Sequence, residues 1–356
     1  MNAAPGLFGI NKSNRDFSRA ENWGKNQFNS SFPAALLSYM HSIQLEPVYI
    51  TLDSDLNTVH SKVSTATLFG IEPTSGNLYY AFERDYSPYQ KFVEGNLPRV
   101  DFVTMDNSNG TCLRGLEIKL TALPDNTTYN LSEENYGSEL VVRPNTIVYL
   151  GISIASHYEE NPKELLDALS PTCNEVTDWT SISNVLPSIP TMIEVFDSVL
   201  LKNLERQQPL VVQPVWKTEG KTPILSEYCL DSFVWSDYAF TRLFVDVAKS
   251  SYTKEGINRA TRTFVWLIKM LYDFALVGKI NHEKIIDTQS YNTKNDKAFA
   301  LSGLKTLMYM KSAELTTPRV RRDEIKNIIL GGGHKLLSPE RRFDAVIVNT
   351  PALFDI

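Results

Sequence analysis

The sequence predicts an α/β protein: a mixed central sheet flanked by helices, with a mainly helical C-terminal region. Three observations carry that expectation. Residues 98–123, PRVDFVTMDNSNGTCLRGLEIKLTAL, alternate apolar and polar side chains on either side of a turn-forming cluster, which is the period-two signature of paired strands. Apolar residues recur at helical spacing from Met192 to Leu204, and again in Asp237–Lys249 and Lys254–Val277. The composition, 42% hydrophobic and 21% charged over 356 residues, is that of a globular chain with a sizeable core.

Taken in order, residues 1–32 are rich in Asn, Ser and charge with scattered aromatics, and read as an irregular N-terminal arm. A helix is expected from Phe32 to Leu45, capped by Ser31, with Pro33 in its first turn and Pro47 beyond its end. Val48–Leu52 reads as a strand. Asp53–Phe69 is ambiguous, with a helix plausible from Asp55. Leu78–Phe82 is a further strand beside the hairpin, with Glu72 before it and Glu83 at its end.

Within the hairpin, Asp106-Asn107-Ser108-Asn109-Gly110 marks the turn, and Gly110 is free to take a positive φ. A three-residue Ser108-Asn109-Gly110 loop sets Asp101 opposite Glu117, and Lys119, two residues on, faces the same way. A two-residue Asn109-Gly110 turn shifts the register by one and turns Asp101 to the other face. Asp106 belongs to the turn. In the first register two carboxylates and an ammonium converge. Such a set suits Mg²⁺, which takes one or two carboxylates and keeps waters and phosphate oxygens for its other positions. Lys119 can then orient a water or neutralise charge at phosphorus, the chemistry of phosphodiester hydrolysis. The same alternation also fits a solvated strand face with a surface ion pair, and the residues alone leave both readings open.

Asp101 followed after a gap by Glu117-Ile118-Lys119 resembles the Asp…(Asp/Glu)-x-Lys signature of restriction-endonuclease-like nucleases. The departure is in the lead-in, Pro98-Arg99-Val100-Asp101, where the proline stands two residues further from the Asp than in the usual motif. Leu113–Thr128 (LRGLEIKLTALPDNTT), with the LFGINKSNRDF opening, resembles more narrowly the HindVP family of type II restriction endonucleases. The resemblance implies a restriction-endonuclease-like core and a homodimer that cuts duplex DNA at a short palindrome of the GRCGYC type, with Mg²⁺ and a cognate DNA methyltransferase as companion. It implies Asp101 and Glu117 as metal ligands with the Ile118 carbonyl, and Lys119 positioning the attacking water. Glu72 or Glu83 would be a third carboxylate, although solvated loop charge is the simpler reading of each. On this view residues 1–32 form an arm, 33–216 the nuclease core, and 217–356 the region for dimerisation and DNA recognition.

Beyond the hairpin, Pro124–Ser138 is a polar loop. Val141-Val142 and Thr146–Ile154 form a nearly continuous apolar, β-prone run that suits a buried strand. Pro162–Leu169 is a short helix. Pro187 and Pro190 mark a soft boundary before the helix at Met192–Leu204, and Leu210–Trp216 is a strand.

The apolar helix Lys254–Val277 is interrupted by Lys269 and Asp273, so it reads as a core or dimer helix and not a membrane span. Arg259 and Arg262, one turn apart on its polar face, are candidate phosphate contacts, although such residues are more often simply solvated. From Thr317 the chain turns basic, with Arg319, Arg321, Arg322, Lys326, Lys335, Arg341 and Arg342. That run is the expected DNA-contacting surface, since Arg forks onto phosphates and guanine edges, although a charge run is also the ordinary solvated face. Gly331-Gly332-Gly333-His334-Lys335 lacks phosphate-loop spacing and reads as a connector to a last strand at Phe343–Val348.

The net charge of −6 gives no uniform basic surface, but it does not report how charge is distributed. Cys112, Cys173 and Cys229 lack metal-ligand spacing and are expected as reduced thiols in a cytoplasmic protein, with no secretory signal at the N-terminus. Two alternatives stand: a repair or junction-type nuclease of the same core, and a non-catalytic DNA-binding protein.

Overall fold

The structure is a computed structural model that describes residues 23–328, except 74, 120, 124–139, 220–224, 252–256, 311 and 326. The expected strand at Phe343–Val348, the Gly331–Lys335 connector and the polar loop at Pro124–Ser138 lie outside the described residues. Helix α1 (Trp23–Ser42) starts earlier than expected and carries Pro33 inside it. Residues 23–32 therefore belong to a helix and not to an irregular lead. Phe32, Leu36, Leu37 and Met40 face inward, and Phe32 stacks on Trp216 with ring centroids 5.3 Å apart.

Strand β1 (Val48–Leu52) stands where its alternation places it. It pairs antiparallel with β2 (Thr58–Lys62), a short edge strand whose exposed TVHSK offers no apolar period to read. Helix α2 (Thr65–Phe69) opens on Ser64, whose hydroxyl accepts from the Thr67 N–H, and closes on Gly70 at a φ of 78°. Strands β3 (Leu78–Arg84), β4 (Val100–Asp106) and β5 (Thr111–Ile118) form an antiparallel meander, and β6 (Thr121–Leu123) follows β5 after a short break.

After β7 (Leu140–Val142) comes the first correction of substance. Residues 144–156 form helix α3 (Pro144–Ser156) and not a strand. Every residue from Thr146 to Ala155 is buried, so the helix shows no polar face. A helix buried all round reads as a continuous apolar run, which periodicity cannot tell from a core strand. Pro144 at the first helical position was the available signal.

Helices α4 (Pro162–Cys173), α5 (Ile182–Val185) and α6 (Ile189–Leu201) lead to β8 (Pro209–Thr218). Ile182–Leu201 has the length and apolarity of a membrane span, but it is broken into short helical pieces and half of it is buried within the fold. The next strand, β9 (Leu225–Ser236), has no counterpart in the sequence reading, and the sheet continues beyond residue 216 through it. Helices α7 (Asp237–Ser251), α8 (Arg259–Val277) and α9 (His282–Thr288) follow. Strand β10 (Phe299–Leu301), helices α10 (Gly303–Tyr309) and α11 (Ala313–Thr316), β11 (Val320–Arg321) and a 3-10 turn at Arg322–Glu324 follow.

One mixed sheet runs β2-β1-β9-β8-β5-β4-β3, with β6 beside β8 and β11 beside β9, and β7 and β10 pair separately. The β1–β9 and β5–β8 pairs are parallel, and β8–β9 is antiparallel. Neighbouring residues feed opposite layers. Val212, Val234, Phe102 and Leu116 pack under α1 and α2 with Leu37, Leu68 and Phe69. Val211, Phe233, Trp235 and Val103 pack under α3, α6, α7 and α8. A sheet covered on both faces is apolar at successive positions, which is why its central strands read as runs rather than alternations.

Candidate active site

Strands β4 and β5 set the site. Their register pairs Phe102 with Leu116 and Thr104 with Arg114, so Asp101 stands opposite Glu117. The route to this register differs from the expected one. Asp106 pairs with Thr111 across a four-residue turn, and the ladder then shifts between Thr104 and Met105, leaving Leu113 as an extra residue. The longer turn and the bulge cancel. Gly110 takes a φ of 71° in that turn.

Asp101, Glu117 and Lys119 meet on the α3 side of the sheet. Lys119 Nζ lies 2.6 Å from Glu117 Oε1, with side-chain exposures of 10% and 8%, so this ion pair is interior rather than surface decoration. The Thr146 hydroxyl, in the first turn of α3, donates to the same Oε1 at 2.7 Å. Asp101 Oδ2 accepts the Ile118 backbone N–H at 2.7 Å. The Lys119 N–H donates to Val212 O of β8 at 2.9 Å, which fixes the backbone on the far side.

The electrostatics are unbalanced. Burial, the Glu117 carboxylate and, less strongly, Glu83 push the Asp101 pKa up to about 7, against the opposing pull of Lys119 and the Ile118 N–H. Glu83 occupies the register position beside Asp101, between the pairs Phe82–Phe102 and Arg84–Val100, with an exposed side chain and a φ of 51°. A solvated loop charge is the simpler expectation for Glu83 from the sequence. The structure puts Glu83 on β3, within electrostatic reach of Asp101. Glu72 is exposed in the turn after α2. Among the described residues no group of three or more Asp, Glu, His or Cys side chains is arranged to hold a metal.

This imbalance has a pH signature. A carboxyl whose folded pKa is raised from 3.8 to about 7 holds its proton longer in the folded state, so metal-free stability falls as pH rises from about 4 to 7. Asp101→Asn removes the cost and still accepts from the Ile118 N–H. In chelator the variant is expected to melt above the parent at pH 8, by the equivalent of about 1–3 kcal/mol, and close to it at pH 4.5. Thermal melts at the two pH values check this; an equal gap at both would exclude a titrating Asp101 as its source.

The arginines expected to meet DNA are placed differently from one another. Arg262 is fully buried with its guanidinium turned inward, 4.3 Å over the Trp266 ring. This corrects its expected place on a polar helix face. Arg259 is one-third exposed, 3.8 Å from Asp296. Arg319 forks onto the buried Asp231 at 2.7 and 2.8 Å. Arg322 donates to Leu225 O at 3.2 Å, and Arg321 is exposed beside Glu227 and the Tyr228 ring. Lys326, Lys335, Arg341 and Arg342 lie outside the described residues. Sequence reasoning missed Thr146, because it put that residue on a strand.

The HindVP restriction endonuclease family profile matches residues 23–354. The chain is 47% identical over 351 residues to the type II restriction enzyme HgiDI of Herpetosiphon aurantiacus, covering 99% of this chain and 97% of that protein. It is 44% identical over 354 residues to the probable type II restriction enzyme HindVP of Haemophilus influenzae, covering 99% and 96%. No solved structure matches significantly. With the family profile spanning nearly all of the sequence and both relatives aligned end to end, this chain belongs to the HindVP restriction endonuclease family and is a type II restriction enzyme.

Proposed function

We propose that the enzyme hydrolyses phosphodiester bonds of duplex DNA at a short palindrome of the GRCGYC type, using Mg²⁺ at Asp101 and Glu117. It would act as a cytoplasmic homodimer, one site per strand, beside a cognate DNA methyltransferase that protects host sites. The observation that carries the reading is the interior trio itself: two carboxylates and one ammonium on one side of the β4–β5 ribbon.

The donor set fits a hard cation. Glu117 Oε1 and Asp101 Oδ2 receive internal donors, so the second oxygen of each remains a candidate ligand, with the Ile118 carbonyl as a third. One ammonium does not balance two carboxylates, and the raised Asp101 pKa records the deficit a cation would fill. When bound, Mg²⁺ supplies a more acidic water and stabilises charge on the phosphate. Asp101 and Glu117 would hold the ion. Lys119, tied to Glu117, presents its protons to the attacking water and to the anionic phosphate oxygens. Arg259 and Arg321 carry partly exposed guanidiniums whose surface ion pairs are weak enough for a DNA phosphate to replace.

The direct test is incubation of plasmid DNA with the protein and Mg²⁺. Discrete fragments whose ends map to one short palindrome are expected. Smears, cuts that follow DNA structure, or no cleavage with any divalent metal would contradict the reading.

A further inference from the structure

Helix α3 touches both arms of the catalytic ribbon within one turn. Thr146 donates to Glu117 Oε1 at 2.7 Å on β5. One turn later, the Tyr149 hydroxyl donates to Pro98 O at 2.9 Å, three residues before Asp101 on the approach to β4. The same hydroxyl accepts the Tyr86 N–H at 3.0 Å. Thr146 and Tyr149 are both fully buried, so neither bond is exchanged with solvent. The Gly151 Cα on this helix has Met270 of α8 so close that an added Cβ would lie 3.2 Å from its sulfur, so α3 has little room to slide.

A carboxylate oxygen with two donors, Lys119 Nζ and Thr146 Oγ1, is held in one orientation; with Lys119 alone it can follow a flexible four-carbon stem. We propose that Thr146 is the positioning residue of the metal site, fixing the Glu117 carboxylate from the first turn of α3. This rests on the nuclease reading above. Thr146 acts through Glu117, as outer-shell partners of ligating carboxylates do.

The test compares Thr146→Val, which keeps shape and loses the hydroxyl, with Thr146→Ser, which restores it. Two readouts are needed: Mn²⁺ affinity of the full-length protein, from the loss of the free-ion paramagnetic resonance signal, and the Mg²⁺ concentration that half-saturates plasmid cleavage. Thr146→Val is expected to weaken both about tenfold to a hundredfold, and Thr146→Ser to return both near the parent. A Val variant with parental Mn²⁺ affinity and Mg²⁺ requirement overturns the proposal, as does a Ser variant as impaired as the Val one at an unchanged melting temperature. Failure of the parent itself to cut plasmid would count against the nuclease reading instead.

Discussion

Glu117→Gln and Lys119→Ala are each expected to lower the cleavage rate at least a thousandfold while the protein stays folded and still retains DNA. The two act through different links. Glu117→Gln keeps an oxygen for Thr146 but loses the charge that pairs with Lys119 and would ligate the metal. Lys119→Ala leaves both carboxylates but removes the ammonium beside them, so the attacking water and the phosphate oxygens lose a donor that the metal does not replace. Single-turnover cleavage, with circular dichroism and gel retardation as controls, separates the cases. A Lys119→Ala protein that cuts at the parental rate would remove Lys119 from the mechanism.

Arg262→Met is expected to cost about 3–5 kcal/mol of stability with no specific loss of DNA affinity. The Arg262 guanidinium donates to Thr293 Oγ1, to Lys294 O at 2.8 Å, to Asn295 Oδ1 at 3.0 Å and to Lys297 O at 2.7 Å, with Ala298 O further away at 3.4 Å. These acceptors are the loop that delivers β10 to β7, and truncation strands them together. Burial lowers the Arg262 pKa only to about 10, so it stays charged in the folded protein at neutral pH. Chemical denaturation and hydrogen exchange of residues 293–298 measure the effect. Unchanged stability with weaker DNA retention would instead return Arg262 to the phosphate-contact role that its sequence position suggested.

The comparison of Arg262 with Asp101 shows what sequence can carry. The period-two pattern of the hairpin, its turn cluster and the strands at Val48–Leu52 and Leu210–Trp216 are local signals, and the structure forms those elements. The Asp101–Glu117 pairing was legible only as one of two registers, because a bulge at Leu113 offsets a turn longer than expected. Elements set by tertiary contact were hidden. Strand β9 contains Asp231, Ser232 and Ser236, all fully buried, and reads as polar until Arg319 is seen to neutralise Asp231. Helix α3 was masked by burial on every side, and Thr146 was lost with it. Arg262 looked like a surface charge because its acceptors lie more than thirty residues further along the chain.

Cleavage as proposed requires Asp101 and Glu117 to share a single divalent ion. Crystals of the full-length protein grown with Mn²⁺, examined by anomalous diffraction at the manganese edge, test it most directly. The predicted result is one strong peak per subunit within bonding distance of both carboxylates, absent from Asp101→Asn crystals. A peak ligated elsewhere in the chain, with the Asp101–Glu117 pair empty, would contradict it.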